Sequence, residues 1–134
     1  MKIERAYPPN YKMILKAFPM AGKPGVIFTY GDTIFNPAGT PLTRMLLAHE
    51  EVHSTRQGSE ELKIMNWWQA YINSLKFRFD EELPAHIAEY KAYRPGKHGF
   101  SRAGFLSHVA NRLSGPLYGH MLSFEAAAEA ILHA

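Results

Sequence analysis

Apolar residues recur at helical spacing along most of the chain and at strand spacing in one short stretch. Tyr11, Ile14, Leu15 and Phe18 predict a short helix, with Asn10 placed to cap its start and Pro19 to close its end. A turn at residues 20–24 follows. Residues 26–30 form a β-branched and aromatic run, Gly31-Asp32 supplies a turn, and residues 33–36 form a second run, which together predict the chain's one clear hairpin. After Pro37-Ala38-Gly39, Thr40-Pro41 offers an N-cap and a first-turn proline. The helix expected there holds Leu42, Met45, Leu46, His49, Val52 and His53 and runs to about Gln57, where Gly58 suits a left-handed exit.

Ser59-Glu60-Glu61 opens a further helix, with Ile64, Trp68, Tyr71, Ile72 and Leu75 on one face and acids where the helix dipole favours them. Trp67 and Trp68 read as core or interface residues, with a substrate groove as the other option. Residues 77–93 are helix-like, but Pro84 lacks a backbone donor and clashes one turn back, so a kink or a start near Leu83 is expected. Residues 94–101 form a Gly- and Pro-containing loop. Ser101 caps a helix bearing Phe105, Leu106, Val109, Ala110 and Leu113, which Ser114-Gly115-Pro116 ends, and Ser123 opens the last one, with Phe124, Ala127, Ala128, Ile131 and Leu132. The expected architecture is α+β and mainly helical, a single domain over residues 1–134 with a small β-hairpin packed on about five helices.

Composition narrows the chemistry. A chain of 134 residues with 46% hydrophobic and 20% charged residues is that of an ordinary globular domain. With no cysteine, disulfides and thiolate metal sites are excluded, and any metal must be held by His, Asp or Glu. The net charge of +3 is thinly spread apart from Arg94, Lys97, His98 and Arg102, so no nucleic-acid partner is expected. Acid, prolines and polar residues interrupt the N-terminal region, and no apolar run reaches the ~20 residues of a membrane helix. The expectation is a cytoplasmic protein with no membrane partner.

The motif His49-Glu50-Glu51-Val52-His53 lies within the second helix. Residues four apart stack on one helix face, so the two imidazoles can meet at one zinc ion, while Glu50 sits beside them, able to take a proton from a metal-bound water without coordinating. Zinc lowers the pKa of that water to about 7, which allows attack on a carbonyl polarised by the same ion. A third ligand must come from elsewhere, because residues 54–58 hold neither His nor acid. Glu82 is preferred, since one helix fits between it and His53 and Ala85 one turn on lets two helices approach. Glu81, Glu89 and His86 remain alternatives, either as ligands or as partners that orient a zinc-bound histidine. For stabilising an oxyanion the candidates are Tyr90, Tyr93, Tyr118 and His120, and the hairpin offers an edge strand to an extended peptide.

HEEVH followed by Glu-x-x-Ala on a second helix resembles the gluzincin branch of the zincin metallopeptidases. The longer stretches YGDTIFNP, HEEVHSTRQ, WWQAYI and FRFDEELPAH are similar to small zincin-like proteins predicted in tailed-phage genomes. The resemblance implies one zinc ion held by His49, His53 and Glu82, with Glu50 as general base. Pro84 departs from the smooth ligand helix of that family. The activity implied is a zinc-dependent endopeptidase acting on a peptide or protein. Two alternatives share the motif: a phage accessory or assembly protein with a structural or vestigial zinc site, and a peptidoglycan endopeptidase.

Overall fold

A computed structural model describes residues 1–134. Three strands, β1 (Lys2–Glu4), β2 (Phe28–Tyr30) and β3 (Thr33–Phe35), accompany six helices: α1 (Tyr11–Ala17), α2 (Arg44–Gln57), α3 (Glu61–Asn73), α4 (Leu75–Ala92), α5 (Arg102–Leu113) and α6 (Phe124–Leu132). The mainly helical α+β class is as expected. The six helices match the six helical segments read along the sequence, against the rounded count of about five; Ser74, in an extended conformation, ends α3, and its side chain caps α4 by accepting from Phe77 N–H. Leu75 consequently opens α4 and lies 41% exposed instead of sharing the buried face of α3.

The expected hairpin forms as β2 and β3 around Gly31-Asp32, with Gly31 at φ 61°. A Cβ on Gly31 would lie 2.7 Å from Ile64 Cδ1, so the turn also requires glycine for the close approach of α3. The sequence pattern did not anticipate β1, which pairs parallel to β3 and makes the sheet order β1-β3-β2. Its three residues are all exposed, so no apolar alternation marks it.

Helix α2 starts later than expected, and α1 starts after Asn10 as expected. Helix α2 begins at Arg44, capped by Thr43, whose Oγ1 accepts from Leu46 N–H at 3.1 Å, not at Thr40-Pro41. The side chain of Asn36 explains this: it donates to the Thr40 carbonyl and accepts from the Thr40 N–H, both at 2.9 Å, and so holds Thr40 in the loop. Asn10 precedes α1 but makes no capping bond, and both of its side-chain polar atoms are buried without a partner. Ser101 and Ser123 cap α5 and α6 as expected. Pro84 neither starts nor breaks α4, which passes through it uninterrupted. The carbonyl deprived of its bond belongs to Asp80, on the exposed side of the helix.

The core is in two parts. One joins Ile14, Phe28, Tyr30, Ile64, Trp67, Trp68 and Tyr71 beneath the sheet. The other joins residues of α4, α5 and α6 with Tyr118, including the fully buried Val109, Leu113 and Ile131. Helices α2 and α4 pack face to face between them, and Ala85, with no exposure, permits the approach. On α2 the buried residues are not Met45, Leu46 and Val52 but His49, Glu50, His53 and Gln57, so this helix turns its polar face inward. No helix is long and apolar enough to cross a membrane.

Candidate metal centre

Buried polar side chains are tolerated only where they find partners, and α2 and α4 bury eight of them: His49, Glu50, His53, Gln57, Glu81, Glu82, His86 and Glu89. Helical spacing puts His49 and His53 one turn apart, and the facing turn of α4 presents Glu82. His53 Nε2 lies 3.2 Å from His49 Nε2 and 3.2 Å from Glu82 Oε1, and His49 Nε2 lies 3.2 Å from Glu82 Oε2. One donor atom from each of the three residues falls within 4.8 Å of the others. These are the two histidines and the acid preferred from the sequence.

The remaining α4 candidates are engaged otherwise. Glu81 accepts from Trp67 Nε1 at 2.5 Å and from Arg56 Nε at 2.7 Å. Glu89 accepts from His49 Nδ1 at 2.8 Å and takes Arg112 Nη2 on both oxygens, at 2.5 and 2.7 Å. His86 donates from Nδ1 to the Glu82 carbonyl at 2.8 Å, with its ring edge-on to those of His49 and Tyr118. Glu89 therefore orients His49: it accepts the Nδ1–H and turns Nε2 toward His53 and Glu82.

The electrostatics follow from burial and proximity. Burial opposes the charged form of His49, yet the Glu82 carboxylate close by, the bond to Glu89 and the charge of Glu50 raise its pKa to about 10. For Glu82, burial is outweighed by His53 and His49, each 3.2 Å from a carboxylate oxygen, which hold it well below the usual carboxylate range. Burial of Glu89 is likewise overcome, by His49 and then Arg112, and its pKa falls to about 2. His86, desolvated and beside His49, drops to about 4 and stays neutral. Burial, then Glu82, pushes the Tyr71 and Tyr118 hydroxyls well above the usual phenol range, so both remain donors. The Tyr71 hydroxyl donates to Glu82 Oε1 at 2.7 Å.

Whether a divalent cation suits these residues can be judged from what they leave unsatisfied. Glu82 Oε2 is buried and makes no hydrogen bond of acceptable geometry, although His49 Nε2 is near. Two imidazole Nε2 atoms and a carboxylate converge on one point without completing a hydrogen-bond network. Two nitrogen donors and one oxygen donor are a set that could hold a metal ion, and one that suits a divalent cation such as zinc. The residues fit the ion.

Glu50 stands beside this group. Thr29 Oγ1 donates to its Oε2 at 2.6 Å, and Oε1 has no protein partner. A cavity of about 620 Å³ opens next to His49, Glu50 and His86, and Arg112 and Tyr118 also line it. A second, of about 90 Å³, lies between the motif and the two tryptophans. Of the four oxyanion candidates only Tyr118 lines the larger cavity. Tyr90 is in the hydrophobic core, the Tyr93 hydroxyl donates to the Phe100 carbonyl, and His120 is exposed with Nδ1 against the Ser114 carbonyl. Trp67 and Trp68 are core residues that also line the small cavity. Arg94, Lys97 and His98 are exposed on the loop after α4.

Thr29, Gln57, Tyr71 and Arg112 were not among the sequence candidates. None has a local signal, since each acts across a tertiary contact 11 to 28 residues away in sequence. Searches of protein-family models, curated proteins and solved structures find no match to the chain.

Proposed function

We propose that the protein is a zinc-dependent peptidase that hydrolyses peptide bonds, with His49, His53 and Glu82 holding the ion and Glu50 as general base. The observation that bears most weight is the convergence of three buried donor groups on one point, with Glu82 Oε2 left without a hydrogen bond. Bound there, zinc would acidify a coordinated water to a pKa of about 7 and polarise the scissile carbonyl. Glu50 takes a proton through its free Oε1 while Thr29 fixes Oε2, and the same carboxyl later delivers that proton to the leaving amine. Tyr118, held protonated on the cavity wall, donates to the developing oxyanion. Glu89, anchored by Arg112, keeps the His49 ring in place. A catalytic site leaves room for water and substrate, and the engagement of Glu81, Glu89 and His86 with other partners supports this over a closed structural site.

Elemental analysis of the purified protein tests the reading. About one zinc per chain is expected, lost in His49→Ala and Glu82→Ala and retained in Glu50→Gln. A wild-type protein that takes up no zinc on reconstitution would overturn the assignment.

A further inference from the structure

Two features beside the metal centre bear on which peptides it accepts. The first is Gln57, one turn beyond His53. Its Nε2 donates to the Thr29 carbonyl at 3.0 Å and its Oε1 accepts from Gly31 N–H at 2.7 Å, so the amide occupies the place on the outer edge of β2 that an added strand would take. Trp68 Nε1 donates to the same carbonyl at 3.2 Å. An extended peptide cannot run along β2 past Thr29. The expected edge-strand mode is therefore blocked by the protein's own side chains at the point where Thr29 reaches Glu50.

The second feature is the larger cavity, which at about 620 Å³ is within the roughly 300–1,000 Å³ of small-ligand sites. Its wall includes apolar Val26, Leu46 and Leu117, and Arg112 is the one lysine or arginine that lines it. The Arg112 side chain is 42% accessible, and Nη2 alone makes both bonds to Glu89, which leaves the Nη1 and Nε donors without a protein partner. A planar guanidinium with donors to spare, beside apolar residues and within one cavity of the catalytic glutamate, matches a terminal residue with an apolar side chain and a free carboxylate.

We infer, building on the peptidase reading above, that the site removes the carboxy-terminal residue of short peptides, with Arg112 binding the terminal carboxylate, and does not cut within extended chains. Hydrolysis adds one water across the last peptide bond: the C–N bond breaks, the hydroxyl joins the carbonyl carbon, and the proton goes to the amine of the released amino acid. Arg112 takes no part in bond making. It is a specificity residue for the carboxylate and a positioning residue for His49.

The test compares binding of an N-acetyl dipeptide ending in leucine, as free acid and as carboxamide, to the zinc-loaded Glu50→Gln protein. The acid is expected to bind about tenfold tighter or more, the size of one charge-assisted hydrogen bond. The acid-to-amide ratio should collapse to within about threefold when Arg112→Gln is added and survive largely in Arg112→Lys. Because the ratio is taken within each variant, a general weakening through Glu89 cancels, and zinc occupancy is measured alongside by chelator competition. Equal binding of acid and amide overturns the inference. So does an acid preference that persists in Arg112→Gln, which would mean that the carboxylate ligates zinc directly. If wild type cleaves amidated or internal bonds as fast as terminal ones, the inference fails while the peptidase reading stands. If the protein binds no zinc, both fail.

Discussion

Replacing Glu89 by glutamine isolates the link between the metal centre and the helix behind it. The carboxylate accepts from two directions: His49 Nδ1 at 2.8 Å on Oε1, and Arg112 Nη2 at 2.5 and 2.7 Å on the two oxygens. A carboxamide keeps the shape but offers one acceptor and one donor. If its oxygen faces His49, its NH₂ meets the Arg112 donor at the 2.7 Å position; if it flips, the His49 Nδ1–H faces a donor and the tautomer is no longer fixed. Partners of this kind support metal affinity by about 10- to 100-fold, or about 1.4 to 2.7 kcal/mol. Glu89→Gln should lie near the lower figure, because an acceptor can still be offered to His49, and Glu89→Ala near the upper. Competition with a chromophoric zinc chelator measures both, with circular dichroism as a check that the helices persist. If both variants bind zinc within threefold of wild type, Glu89 does not position His49 and the reasoning is wrong.

Other substitutions probe other parts of the argument. Glu50→Gln should keep its zinc while peptide turnover falls by about two orders of magnitude or more, read from kcat in a fixed-time assay. In Glu82→Ala, zinc uptake should drop below detection by elemental analysis, and the Tyr71 hydroxyl loses its acceptor. Pro84→Ala restores an N–H in the middle of α4 and should raise the stability by about 1 to 3 kcal/mol in urea unfolding. Ala85→Leu forces a larger side chain between α2 and α4 where there is no exposure, and should cost about 1 to 3 kcal/mol and weaken zinc binding together.

The elements most legible in the sequence were those whose signal is local. The hairpin announced itself through Gly31-Asp32 between two β-branched runs, and α5 and α6 through serine caps followed by helical apolar spacing. The motif is local too, because two ligands one turn apart need nothing beyond the helix that holds them. What the sequence could not place depended on partners distant along the chain. Thr40 has the composition of a helix cap, yet Asn36 holds both of its backbone groups and the helix starts at Thr43. Strand β1 is defined by its pairing with β3 alone. Among Glu81, Glu82 and Glu89 the sequence expressed a preference, but their differing surroundings come from Arg56, Trp67 and Arg112, each on another helix. Helix α2 shows the same limit in part: the burial of His49 and His53 was expected, whereas Met45, Leu46 and Val52, read as sharing that helix, are only half-buried.

That inward polar face sets a charge balance which makes one last prediction. Four carboxylates are buried: Glu50, Glu81, Glu82 and Glu89. Arg56 pairs with Glu81 and Arg112 with Glu89, whereas Glu50 and Glu82 have no lysine or arginine partner. The Glu82 carboxylate, buried beside His49, favours the protonated imidazole there. The His49 pKa of about 10 expresses this, since it remains protonated at pH 8, where an isolated histidine near 6.5 is almost wholly neutral. Zinc ligation at Nε2 requires that proton to leave. Zinc binding at pH 8 should therefore release about two protons, one from His49 and one from a bound water whose pKa is about 7, measured as the slope of calorimetric enthalpy against buffer ionisation enthalpy. Affinity should keep rising with pH through the range from 6.5 toward 10 instead of levelling off just above 6.5. A slope of about one or less at pH 8, no more than a bound water with a pKa of about 7 supplies by itself, would mean that the ion does not displace a proton from His49, and that the buried charge beside it is balanced in some other way.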